Sequence, residues 1–149
     1  GSYLLRKKEK VVPNAAFQDR IGVFSFAGDL GLRWKHNAFV SWSNEAWNVN
    51  LSQLFRSGYT NQQLPGVASG AINPPNDVIK VDEYITYNFS VGFRGIEGYT
   101  INFGIKNLFD TDPPFAVTYD SNLGSGSSWE SRVADPRGRA FTISVDTKF

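Results

Sequence analysis

Three groups of residues have types and spacings that could do chemistry. They are the lone histidine His36, the acidic and basic residues Asp110, Asp112, Asp135, Arg137 and Arg139, and a scattered polar and aromatic set, Gln62, Gln63, Tyr119, Trp129, Glu130 and Arg132. A Ser-His-Asp hydrolase needs its imidazole beside water. His36 instead alternates with Trp34, Ala38, Val40 and Trp42, on an apolar face where no aqueous substrate reaches it. The chain has no cysteine and one histidine, which removes disulfides, thiol nucleophiles and zinc sites built from several Cys or His ligands. Asp110 and Asp112 begin like a cation loop, yet no further ligands follow at the spacing of a calcium site, so a turn at a strand end is expected. Asp135 with Arg137 and Arg139 reads as a structural hinge where a loop enters a strand. No catalytic residue, cofactor or metal is expected, and the chain is read as no enzyme. The scattered set lies in loops, where ligand recognition usually resides, although each residue taken alone also fits loop packing.

The elements that must carry these residues follow from a period of two. Five segments alternate apolar and polar side chains, near 30–42, 46–58, 82–93, 99–107 and 138–149, with a weaker sixth at 2–10. One face of the five is apolar at 22 of 25 positions and the other at 4 of 24, so all five strands share one greasy face. The exceptions on the greasy face include His36 and Gln53. If Asn44-Glu45 is a two-residue turn, those two stand directly opposite each other, as do Trp42 and Trp47. A turn over Arg94–Gly98 likewise sets Phe93 against Tyr99, Val91 against Ile101 and Phe89 against Phe103.

Alternation alone fits a soluble sandwich as well as a membrane barrel, and the connections separate them. Two links are short, and two are long, roughly 25 and 30 residues rich in Gly, Pro, Ser, Asn and Asp. In an antiparallel array the short links then share one end and the long ones the other, which is the asymmetry of outer-membrane barrels. Aromatic residues gather at both ends, Trp42, Trp47, Phe93, Tyr99 and Phe149 at the short-turn end, and Trp34, Phe55, Tyr87 and Phe141 towards the long loops. Two such belts with aliphatic residues between them match the two head-group levels of a bilayer. A net charge of +1 gives no footprint for nucleic acid. The first ten residues hold four Lys/Arg without an apolar run, so they are not expected to be a signal peptide, and a mature start or a start inside something longer is implied.

At Asn107-Leu108-Phe109-Asp110, then Asp112-Pro113-Pro114-Phe115, then Asp135-Pro136-Arg137-Gly138-Arg139 running to a terminal Phe149, the sequence resembles the C-terminal end of TonB-dependent outer-membrane receptors. Gly58-Tyr59-Thr60-Asn61-Gln62 is similar to a further segment of that family, with Asn in place of Asp. The resemblance implies an all-β fold in which residues 1–149 supply the last five or six antiparallel transmembrane strands of a barrel of roughly 22 strands, with the plug domain absent. It implies residence in the outer membrane and active uptake of a scarce nutrient of the siderophore, vitamin or oligosaccharide class. The implied partners are the rest of the barrel and its plug, the TonB complex through a missing N-terminal region, lipid, and the outer-membrane assembly machinery, for which Phe149 resembles the signal. The alternatives are a passive porin or structural barrel and a soluble carbohydrate-binding sandwich.

Overall fold

Side chains on successive strand residues point to opposite sides, so a strict apolar-polar alternation is satisfied only by extended backbone. The structure, a computed structural model, describes residues 1–10, 13–24, 30–61, 69–73, 80–116 and 128–148. Gln62, Gln63, Tyr119 and Phe149 lie outside the described residues. Ten strands follow in chain order: β1 Ser2–Tyr3, β2 Lys8–Glu9, β3 Gln18–Asp19, β4 Trp34–Ser43, β5 Trp47–Arg56, β6 Tyr59–Thr60, β7 Lys80–Val81, β8 Tyr84–Ile96, β9 Tyr99–Lys106 and β10 Ala140–Thr147. Among the described residues there is no helix. The chain forms two compact units.

The first unit comprises His36–Phe55, Ile85–Asp112 and Arg137–Phe149. It holds the long strands side by side in the order β4-β5-β8-β9-β10. β1 pairs with β4 only at Trp34 and Lys35, and among the described residues β10 has no neighbour but β9, so the sheet is open. β10 pairs with β9 over its whole length, from Ala140 against Lys106 to Thr147 against Tyr99.

Both hairpins close in a different register from the one the turns suggested. In the first, the Asn44 N–H donates to the Trp47 carbonyl at 2.9 Å. The Asn44 side chain fills the turn, its Oδ1 accepting the N–H groups of Ala46 and Trp47 at 3.0 and 2.7 Å. Asn44 is thus the last paired residue rather than the first turn residue, a habit of asparagine, whose amide mimics a backbone turn. Each β4 residue therefore faces a partner two places further along β5, and Trp42 does not face Trp47. In the second, Phe93 pairs with Ile101, Val91 with Phe103 and Phe89 with Ile105. β8 runs on past a bulge between Phe93 and Ile96, and Ile96 pairs with Tyr99. Gly98, at φ +76°, makes the turn. A shift of two changes every partner and leaves every side chain on its face.

The two faces therefore stand as the alternation required. On the apolar face Val40 is 72% exposed, Phe141 64% and Ile143 72%, with Trp42, Leu51 and Val145 also exposed. Trp47 and Phe93 touch at the short-turn end, ring centroids 4.5 Å apart, and Tyr87 meets Phe109 edge-on at 5.2 Å at the other.

The second unit comprises Gly1–Lys35, Arg56–Tyr84 and Pro113–Pro136 and has a conventional buried core of Phe24, Leu30, Leu32, Tyr59, Val81, Tyr84, Ala116, Val133 and Ala134. This corrects three expectations. The strand expected from residue 30 begins at Trp34, because Leu30 and Leu32 turn into this core instead of joining the exposed face. Tyr84, which the alternation of segment 82–93 puts on the polar face, is buried as well, its hydroxyl donating to the Asp135 carbonyl at 3.2 Å. The strand expected at 2–10 is broken: Ser2 and Tyr3 pair with Lys35 and Trp34, whereas Lys8 and Glu9 pair with Asp19 and Gln18. The opposite charges of Lys8 and Asp19, directly across from each other, favour that second pairing.

Candidate functional site

The polar face of the five-stranded sheet is a ladder of amides and hydroxyls. Ser41 Oγ donates to Asn50 Oδ1 at 2.6 Å, and Asn50 Nδ2 donates to Asn48 Oδ1 at 2.6 Å and to Ser90 Oγ at 3.4 Å. On β9, Asn102 Nδ2 donates to Ser144 Oγ at 3.3 Å and to the Asp146 carboxylate at 3.2 Å. Between these two sets lies a cleft of about 360 Å³, within the range of roughly 300–1,000 Å³ usual for small-molecule sites. The cleft exists because strand position 92 is glycine: a Cβ there would stand 2.9 Å from Asn102 Oδ1. A face built this way offers hydrogen-bond donors and acceptors to what enters the cleft.

At the far end of β9 the residues of the family-like motif interlock. Asn107 and Asp110 take left-handed backbone, φ +52° and +57°, which Asn and Asp tolerate better than other side chains. The buried Asn107 amide closes the turn, Nδ2 donating to the Thr111 carbonyl at 3.0 Å and Oδ1 accepting the Thr111 N–H at 2.9 Å. Its backbone N–H donates to Asn88 Oδ1 at 3.0 Å, and the Leu108 N–H donates to the Tyr87 carbonyl at 2.7 Å, tying the turn to β8. Asp110 Oδ1 then accepts the backbone N–H of Arg139 at 2.7 Å, and the Arg139 guanidinium lies 3.6 Å from Oδ2. Gly138, at φ +66°, gives the carboxylate room, since a Cβ there would stand 3.1 Å from Asp110 Oδ1. At the entry to β10, where Asp135, Arg137 and Arg139 were expected to form a structural hinge, Arg139 is held by Asp110. Phe109 points outward, 67% exposed, and Asp112 is exposed.

On the opposite, apolar face His36 and Gln53 do bond, His36 Nε2 and Gln53 Oε1 lying 2.9 Å apart. The register makes this contact diagonal, because His36 stacks on Phe55, ring centroids 5.1 Å apart. A third member escaped the sequence reading: Gln53 Nε2 donates to the Tyr87 hydroxyl at 2.6 Å. The three form a polar relay across β4, β5 and β8, which removes most of the cost of placing polar groups on that face.

Of the loop residues proposed as ligand contacts, Glu130 and Arg132 meet each other. Arg132 donates through Nε and Nη2 to the two Glu130 oxygens, both at 2.9 Å, and its guanidinium lies 5.3 Å from the Phe24 ring centroid. Arg132 hydrogen bonding holds the buried Glu130 carboxyl below its ordinary pKa, against the opposing effect of burial. Beside them the Tyr59 hydroxyl is pushed well above its ordinary range by burial, with the Glu130 charge adding to the effect. Trp129 is half-buried.

No protein-family model and no curated protein match this chain. Among solved structures it is similar to the ferric enterobactin receptor of Pseudomonas aeruginosa, crystallised as a point mutant, with a TM-score of 0.53 and 16% identity. The likeness covers 78% of this chain and 16% of that one, so the chain spans a small part of the receptor's length. What the two share at this identity is fold.

Proposed function

We propose that this chain is part of the β-barrel of an outer-membrane receptor that takes up a scarce nutrient, energised by TonB through regions outside it. One observation carries the reading: no second layer covers the apolar face among the described residues of this unit, so that it is exposed on β4 and β10 and half-buried on β8 and β9, and the polar face is bonded to itself and holds a cleft. A soluble sandwich turns the apolar face inward onto a second layer. A membrane barrel turns it outward to lipid and keeps the polar face around a wet lumen. The likeness of fold to a ferric enterobactin receptor supports a receptor, and so does the interlock of Asn107, Asp110, Gly138 and Arg139, the residues through which the sequence resembles TonB-dependent receptors. A passive porin would share the faces without that interlock. Ferric siderophores belong to the cargo classes this reading allows, together with vitamins and oligosaccharides.

Single cysteines test it in native membranes. Val40, Leu51, Ile143, Ser41, Thr142 and Ser144 all lie on the long strands, the first three on the apolar face and the last three on the polar face. Cysteines replacing the first three are expected to resist an aqueous thiol reagent, and those replacing the last three to react. Equal labelling of the two sets would remove the barrel.

A further inference from the structure

The cleft on the polar face has a chemistry of its own. Its wall is fixed, since Asn50 is bonded at both ends of its amide, to Ser41 on one side and to Asn48 and Ser90 on the other. Asn102 is fixed in orientation as well. A carboxylate only accepts, so the amide end facing Asp146 must be the donor Nδ2, and Oδ1 is left facing the space above Gly92. Asn48 accepts from Asn50 through its Oδ1, which leaves its Nδ2 without a partner among the described residues. The floor at Gly92 is therefore flanked by a fixed acceptor and an available donor. A hydroxyl group, which donates and accepts at once, satisfies both together. A further hydroxyl, that of Thr100, lines the same space, and the one charged lining residue is Arg94, exposed and without an acidic partner among the described residues.

We infer that this cleft binds a hydroxyl-rich small molecule carrying one carboxylate, as an acidic sugar does: hydroxyls between Asn48 and Asn102 over Gly92, and the carboxylate on Arg94. The guanidinium fork matches a carboxylate in two parallel hydrogen bonds. As a statement about cargo this rests on the receptor reading above. In that reading the cleft lies at the short-turn end of the lumen, the end the cargo meets last, so the site is one of release rather than capture.

The test is calorimetric titration of the detergent-purified protein with glucuronate, glucose and acetate, each preparation being checked for folding by heat-modifiable gel migration. Glucuronate is expected to bind, glucose at least tenfold more weakly, and acetate not measurably. Gly92→Ala, which puts a methyl group against the pinned Asn102 amide, is expected to weaken glucuronate at least tenfold. Arg94→Gln, a change at an exposed side chain, should bring glucuronate down to the level of glucose and leave glucose unchanged. Absence of glucuronate binding to the folded wild-type protein, equal affinity for glucose and glucuronate, or indifference to both substitutions would overturn the inference. The cysteine labelling reports separately on the barrel: a lipid-shielded face with no glucuronate binding removes the cleft alone, and binding by a protein whose two faces label equally removes the receptor alone.

Discussion

Replacing Asp110 by alanine takes from the interlock the acceptor of the Arg139 N–H at 2.7 Å and the counter-ion 3.6 Å from its guanidinium. A hydrogen bond to a charged group contributes about 1.5–3 kcal/mol. The ion pair adds about 0–1 kcal/mol, because both side chains are roughly half exposed and water screens them. Alanine at φ +57° also bears a left-handed cost of about 1–2 kcal/mol that aspartate partly escapes through its short polar side chain. Exposure of the carboxylate lets water replace part of what is lost, so the whole is expected at about 2–4 kcal/mol. Asp110→Asn keeps an oxygen for the N–H and the tolerance of that backbone, and loses only charge, for about 1 kcal/mol. Arg139→Gln removes the ion pair alone, for under about 1 kcal/mol. The assay is urea unfolding in detergent micelles, followed by tryptophan fluorescence and by loss of heat-modifiable migration. An alanine variant within about 0.5 kcal/mol of wild type would refute the reasoning. So would a glutamine at 139 that costs as much as the alanine at 110, since the ion pair and not the backbone bond would then hold the interlock.

Two further outcomes are expected. Gln53→Ala cuts the relay at its middle, taking its Gln53 bond from His36 and leaving the Tyr87 hydroxyl without the amide that donates to it, at a cost of about 1–3 kcal/mol, whereas His36→Phe, Gln53→Leu and Tyr87→Phe combined should cost less; the same unfolding assay decides, and a triple variant worse than the single one would contradict the relay. Glu130 has a folded pKa below its unfolded one, so the stability it contributes is present above the ordinary carboxylate range and is lost as the pH falls through the lowered value. Hydrogen exchange at the Val133 and Ala134 amides, which donate to the Glu130 carbonyl, should lose protection on acidification in the wild type and be insensitive to pH in Glu130→Gln, and identical profiles would exclude the role.

What the sequence made plain was the set of five long strands and the side each residue takes, because alternation is a local property that tertiary contacts reinforced here. Register was not readable, since it depends on whether Asn44 and Ile96 belong to a strand or to a turn, and a single asparagine side chain or one bulge moves every partner by two. The core of the second unit was missed for a related reason: Leu30, Leu32 and Tyr84 sit at the ends of alternating runs and carry the right polarity for a strand, yet they pack with Phe24, Val81 and Val133, residues drawn from stretches without periodicity. Tyr87 was placed in an aromatic belt, and nothing local revealed that its hydroxyl completes a relay begun on β4. The importance of Asn107, Asp110, Gly138 and Arg139 was legible by resemblance, while the bond of Asp110 to Arg139 joins residues 29 positions apart and had no local signal.

The interlock also separates two jobs that a long connection normally does at once. The register between β9 and β10 is held where Asp110 grips Arg139, so the chain between residues 113 and 136 is relieved of aligning the strands it links. Closing a flexible loop grows costlier only slowly with its length, by about 0.6 kcal/mol for each doubling. Length can therefore be added to or taken from that connection, away from Ala116, Glu130, Val133 and Ala134, which pack in the second unit, without changing the pairing of β9 with β10. A sheet fastened in this way behaves as a chassis, whose strand pairing does not depend on the length of the segment that joins its last two strands.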